Sequence, residues 1–90
     1  MSINMSLPEE EVKRRMRFAN NLRYIIRSKN VPRSNIAKAA GVGTSQISEY
    51  MRGRCMPSDE RISKIADAIG CTVDELFDDT HDPWNFGTED

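Results

Sequence analysis

The chain has one histidine, two cysteines and one tryptophan among its 90 residues. Two thiols, Cys55 and Cys71, are too few for a disulfide scaffold. They stand sixteen residues apart and His81 is remote from both, so the four close ligands of a structural zinc site are missing. No Ser-His or Cys-His pairing is legible, and no glycine-rich phosphate loop is present. The expectation is therefore a protein without enzymatic activity, metal or cofactor.

Long apolar runs are also lacking. No window approaches the roughly 18 apolar residues that span a bilayer. The opening MSINMSLPEEEVKRR has no apolar h-region of a secretory signal, so a cytoplasmic location is expected. Hydrophobic residues make up 38% of the chain, below the roughly 45–50% of an average globular domain. The core must be small, and the length allows one small domain with no separate ligand-sensing unit. No small-molecule ligand is expected.

The net charge of −1 hides a segregation. Residues 12–66 hold all thirteen Lys and Arg against Glu49, Asp59 and Glu60 alone, a net of +10. Residues 1–11 carry three acids, and residues 67–90 carry eight acids with no Lys or Arg. A basic middle points to a polyanion partner for one face.

Strand signals are nearly absent, and helical spacing recurs instead. Pro8 followed by Glu9, Glu10 and Glu11 reads as a helix start. Val12, Met16, Ala19, Leu22 and Ile26 then recur at three and four residues, with Phe18, Leu22, Ile25 and Ile26 as the tighter stripe. Pro32 ends this helix by about Asn30, and the pattern leaves open whether 8–29 is one helix or two. A second helix is expected over 33–40, with Ile36, Ala37 and Ala40 inward and Gly41 as a left-handed cap. A third runs over about 44–52, with Ile47, Tyr50 and Met51 inward, and stops at Gly53. Ser58 caps a fourth helix carrying Ile62, Ile65, Ala66 and Ile69, which Gly70 closes. A short fifth helix opens with a capping box at Thr72 and Glu75 and is packed down by Leu76 and Phe77. Beyond it lies an acidic, turn-rich tail at 78–90, where Trp84 and Phe86 read equally as core lids, a subunit contact or disordered residues.

Ala37, Gly41, Val42 and Ile47 stand at the offsets that a helix-turn-helix needs: a small residue at the crossing, a glycine at the turn and two apolar plugs. The outward residues of the second arm are Thr44, Ser45, Ser48, Glu49 and Arg52, all short or polar. Residues 18–77 resemble the Cro/phage-repressor (Xre-like) helix-turn-helix family. The match is carried by Leu22, Ile36-Ala37, Gly41-Val42, Ile47-Ser48, Gly53, Pro57, Ile65-Ala66, Ile69-Gly70 and Glu75-Leu76-Phe77. The resemblance implies an all-α, compact five-helix domain that binds double-stranded DNA, usually as a homodimer on an operator. The domain covers 18–77 with its motif at 33–52, and residues 1–17 form an N-terminal extension outside the family core, helical from about residue 8. The resemblance places base-edge contacts at Thr44, Ser45, Ser48 and Glu49, with Gln46 as an extra, and a phosphate contact at Arg33. It points to Arg52 and Arg54 for a further backbone contact, and Lys38 adds sequence-independent attraction.

The residues allow plainer readings. Thr44 reads equally as a helix cap, Glu49 as the ion-pair partner of Arg52, and Gln46 as lying beside the protein. Leu76, Phe77, Trp84 and Phe86 are the candidate subunit contacts. A protein-interaction module of antitoxin or antirepressor type is the alternative use of the same fold.

Two departures from the family pattern stand out. Many members carry a buried Arg–Glu pair where this chain has Ile26 and Met51, a joint apolar replacement that the fold tolerates. Pro32 occupies the usual Ser or Thr cap of the second helix, which leaves Asn30, Val31 or Ser34 to mark its start.

Overall fold

The computed structural model describes residues 9–80. Five helices follow one another: α1 (Glu9–Lys29), α2 (Arg33–Ala40), α3 (Thr44–Met51), α4 (Asp59–Ile69) and α5 (Val73–Leu76). No strand occurs among the described residues.

α1 is a single helix of 21 residues, so its break does not exist, and Pro8 lies outside the described residues. Its acidic first turn and its basic last turn, with Arg27 and Lys29, both suit the helix dipole. The inward stripe starts later than the spacing predicts. Phe18, Ala19, Leu22 and Ile26 are buried, but Val12 is 36% exposed, because the first two turns of α1 run past the end of the core.

The core joins Phe18, Leu22 and Ile26 to Ile36, Ile47 and Tyr50 and to the α4 stripe of Ile62, Ile65 and Ile69. Each fully buried side chain of this kind contributes about 1.5–3 kcal/mol. α2 lies on α3 and α4, while α1 packs on α3, α4 and α5. Met51 rests against the core half-buried rather than inside it, so a carboxylate placed there would keep part of its hydration.

Four helices end the same way. A residue with positive φ follows each of them: Asn30, Gly41, Gly53 and Gly70. The next amide then reaches back five residues: Val31 to Ile26, Val42 to Ala37, Arg54 to Glu49 and Cys71 to Ala66, at 3.0–3.2 Å. This is the Schellman closure, which satisfies carbonyls that a helix end would leave orphaned. Val31, Val42 and Cys71 then pack on the core, as the closure favours. Arg54 does not; it is exposed.

Side chains cap the starts of α4 and α5 but not those of α2 and α3. Ser58 Oγ accepts from the Arg61 amide at 3.3 Å, and Thr72 and Glu75 complete the capping box. Pro32 itself is the N-cap of α2 and makes no side-chain bond there, so neither Asn30, Val31 nor Ser34 marks the boundary. Its ring presets φ at −65° for the extended backbone that enters the helix.

Leu76 corrects the proposed subunit contact. It is fully buried, because α5 turns it down against α1 and α4, and it has no surface to offer a partner. Phe77 is half-buried, with its ring 5.6 Å from that of Phe18 and the Arg14 guanidinium 4.5 Å above it. Trp84 and Phe86 lie outside the described residues.

Candidate nucleic-acid interface

The α2–turn–α3 unit is built from local rules. Ala37, 3% exposed, lets the two short helices cross closely. Gly41 takes the left-handed conformation (φ 74°) that turns the chain between them. Ile47 and Tyr50 anchor α3 from beneath, at 0% and 3% exposure. The Tyr50 ring is therefore core, as its shared face with Ile47 predicts.

Helical geometry turns the remaining α3 residues outward. Thr44 and Ser45 are exposed on its first turn, and Ser48 and Glu49 are half-buried one turn on. Gly43, not Thr44, is the N-cap of α3, and no side chain caps it. Thr44 is therefore the first helical residue, which overturns its reading as a cap. The uncapped amides of this turn carry the positive end of the helix dipole.

Polar pairings knit the surface together. Arg33 Nη1 donates to Ser48 Oγ at 2.8 Å, joining the first turn of α2 to the middle of α3. Glu49 stands between two cations, 3.4 Å from Arg52 and 3.6 Å from Arg54. The expected Arg52 pairing is present, with a second arginine added. These side chains are 35–65% exposed, so each pair contributes at most about 1 kcal/mol. Lys38 is exposed on the last turn of α2.

Gln46 stands apart from this face. Its amide donates to Cys55 Sγ at 3.2 Å, against the loop after α3, and the side chain is half-buried. That follows from its place next to Ile47 on the inward side of the helix.

On α3 the structure thus joins Arg33 to Ser48, and Arg52 and Arg54 to Glu49, while Lys38 stands exposed on the neighbouring α2. The exposed Arg54 occupies the one Schellman position whose neighbours elsewhere are apolar. A local packing rule is given up where a cation faces solvent, as happens at functional surfaces.

The family model for helix-turn-helix proteins, HTH_3, matches residues 22–76, more than half of the chain. This chain belongs to the HTH_3 helix-turn-helix family. Its members are DNA-binding transcription regulators rather than enzymes. Among solved structures it is similar to the clp gene regulator ClgR from C. glutamicum, at 29% identity and a TM-score of 0.64, covering 69% of this chain and 80% of that one. It is also similar to the restriction-modification controller protein C.AhdI from Aeromonas hydrophila (27%, 0.64, 70% and 96%). A third is the hypothetical transcription factor NHTF from Neisseria (25%, 0.65, 84% and 86%). No curated protein matches at a significant level. No helix among the described residues is long and apolar enough to cross a membrane.

Sequence reasoning missed three residues here. Arg23 donates to the Met51 carbonyl at 2.5 Å and to Asn20 Oδ1. Asn21, 2% exposed, donates to the carbonyls of Leu76 (3.0 Å) and Asp78 (2.7 Å) and so ties down the exit of α5. Cys55 holds Gln46. Asn21 carried a faint signal, a polar residue set between Phe18 and Leu22 in the buried stripe. Arg23 and Cys55 carried none beyond composition.

Proposed function

We propose that this HTH_3 protein is a sequence-specific operator-binding repressor of phage or prophage type, acting in the cytoplasm as a homodimer. α3 enters the major groove of double-stranded DNA. Thr44, Ser45, Ser48 and Glu49 read base edges, and Arg33, Lys38, Arg52 and Arg54 meet phosphates. Thr44 offers a methyl to thymine, and Glu49 accepts from the N4 amine of cytosine. Gln46 joins the readout only after leaving Cys55.

The observation that carries this reading is the outward face of α3, where short polar residues meet three arginines while the opposite face is buried. Magnitudes favour engagement. The exposed Glu49 ion pairs each contribute about 0.2–1 kcal/mol. A good base contact contributes about 1–3 kcal/mol of discrimination. Glu49 can therefore exchange its arginines for a base edge, which releases Arg52 and Arg54 to phosphates. One small module covers little duplex, which supports two subunits on half-sites about one helical turn apart.

Selection of bound duplex from a random pool tests the reading. The expected product is an inverted repeat with half-sites about 10 base pairs apart. Affinity for it should fall with salt at a log–log slope of about −4 per subunit, one step per phosphate cation. Failure to enrich any duplex, or a flat salt response, favours the protein-interaction module instead.

A further inference from the structure

α3 is a helix of eight residues whose far end is closed by backbone bonds to the carbonyls of Ser48, Glu49 and Tyr50 but not to that of Met51. It has no basic residue in its last turn, and its N-cap makes no side-chain bond. The carbonyl of its last residue, Met51, is among those that no intrahelical amide can reach. That carbonyl is met by α1. Arg23 Nη1 donates to it at 2.5 Å, while Nη2 of the same guanidinium donates to Asn20 Oδ1, one turn back on α1. Both Arg23 and Asn20 are half-buried.

The contact continues into the turn that follows α3. A Cβ on Gly53 would stand 2.7 Å from Met16 Sδ and 3.6 Å from the Ala19 methyl. Met16, Ala19, Asn20 and Arg23 recur at three and four residues, so they share one face of α1. The exit of α3 is seated on that face. Arg52 and Arg54 flank Gly53, and the Arg54 amide closes back onto the Glu49 carbonyl at 3.1 Å. The backbone that carries both arginines and Glu49 is therefore fixed where Arg23 grips it.

We propose that Arg23 is a positioning residue for DNA recognition: by holding the Met51 carbonyl it sets the angle of α3 and the place of the Arg52–Arg54 turn on the duplex. The proposal rests on the DNA-binding reading given above. The bond is charge-assisted and half-buried, so its loss is felt more than that of an exposed ion pair. It also needs two donors in a planar fork, one for Met51 and one for Asn20. Lysine supplies charge but not that fork.

The test compares the full-length protein with Arg23→Ala and Arg23→Lys. Two probes are used: the duplex enriched by the unmodified protein from a random pool, and a scrambled duplex of equal length. Binding is measured at a temperature where circular dichroism shows every variant folded. Both variants should lose about tenfold or more on the enriched duplex. On the scrambled duplex Arg23→Lys should stay within about twofold, because its charge is kept. Equal losses on both duplexes, or full rescue by lysine, would make Arg23 a plain phosphate cation and overturn the proposal.

A second readout needs no DNA. Amide hydrogen exchange at Arg52, Gly53 and Arg54 should quicken about tenfold or more in Arg23→Ala, relative to amides of α4. Unchanged exchange there overturns the proposal even if binding falls. If the unmodified protein enriches no duplex but exchange quickens as expected, the DNA-binding reading fails and the grip of Arg23 on this turn stands.

Discussion

The Arg33 guanidinium, on the first turn of α2, donates a 2.8 Å hydrogen bond to Ser48 Oγ in the middle of α3. A residue assigned to phosphate and a residue assigned to bases thus hold one another in the free protein. The bond is exposed, so Ser48→Ala should change stability by less than about 0.5 kcal/mol. On DNA the two should be coupled. Arg33→Ala should weaken all duplexes alike and reduce the salt slope by about 1, whereas Ser48→Ala should shift preference between sequences. The double variant should depart from additivity by about 0.5 kcal/mol or more. Strictly additive losses in a double-mutant cycle would show that the pair does not persist in the complex.

Two glycines separate backbone strain from crowding. Gly41 and Gly53 both have φ of 74°, but a Cβ on Gly41 meets nothing within 4 Å, whereas one on Gly53 meets Met16 at 2.7 Å. Gly41→Ala should cost about 1 kcal/mol, the left-handed penalty alone. Gly53→Ala should cost about 2 kcal/mol or more, since Met16 must also move. Urea midpoints of the two variants check the ordering.

Asn21 bridges α1 to the two carbonyls at the exit of α5. Asn21→Leu keeps the volume and leaves both carbonyls without that donor. Thermal unfolding should show a loss of about 1–3 kcal/mol, as expected for buried acceptors left unpaired. A neutral result would mean that water replaces the amide.

The Cys71 thiol is pushed up from its ordinary range, first by burial and then by Glu75, with Lys29 pulling the other way. A raised value in the folded state favours the protonated thiol. Its contribution to stability is therefore full below the unfolded thiol's range and fades as pH climbs through the folded value, in the window above about 8.5. Iodoacetamide at pH 8.5 should modify Cys71 more slowly in the folded chain than in urea. Cys71→Ala should flatten the alkaline decline of the melting temperature.

Much of the fold was legible because its signals are short-range. The end of Arg33 to Ala40 follows from Gly41, and both ends of Asp59 to Ile69 from Ser58 and Gly70, with each signal within a turn of the boundary that it sets, whereas Pro32 was not read as the cap that it is. The same locality explains the errors. Val12 continues a correct spacing, but spacing does not say where a helix leaves the core. Leu76 looked apolar and terminal, and only the placement of α5 against α1 shows that it is used up inside. At the site, the outward face of α3 was legible from helical period. The pairing of Glu49 with Arg52 and a place for Gln46 beside the protein were legible too, but their partners Arg54 and Cys55 were not, since both lie across a turn whose path the pattern does not give.

The amino-acid order by itself determined that five helices follow one another, where glycine and capping signals close or open most of them, which residues form most of the buried stripes, and that thirteen cations crowd between two acidic ends. These depend on neighbours three to five residues away, whose geometry the backbone already fixes. Tertiary structure alone decided that Arg23 would grip Met51 across 28 residues and that Asn21 would reach Asp78 across 57. Such pairs form only when packed helices bring orphaned carbonyls to a donor, and burial then makes an unpaired carbonyl too costly to leave.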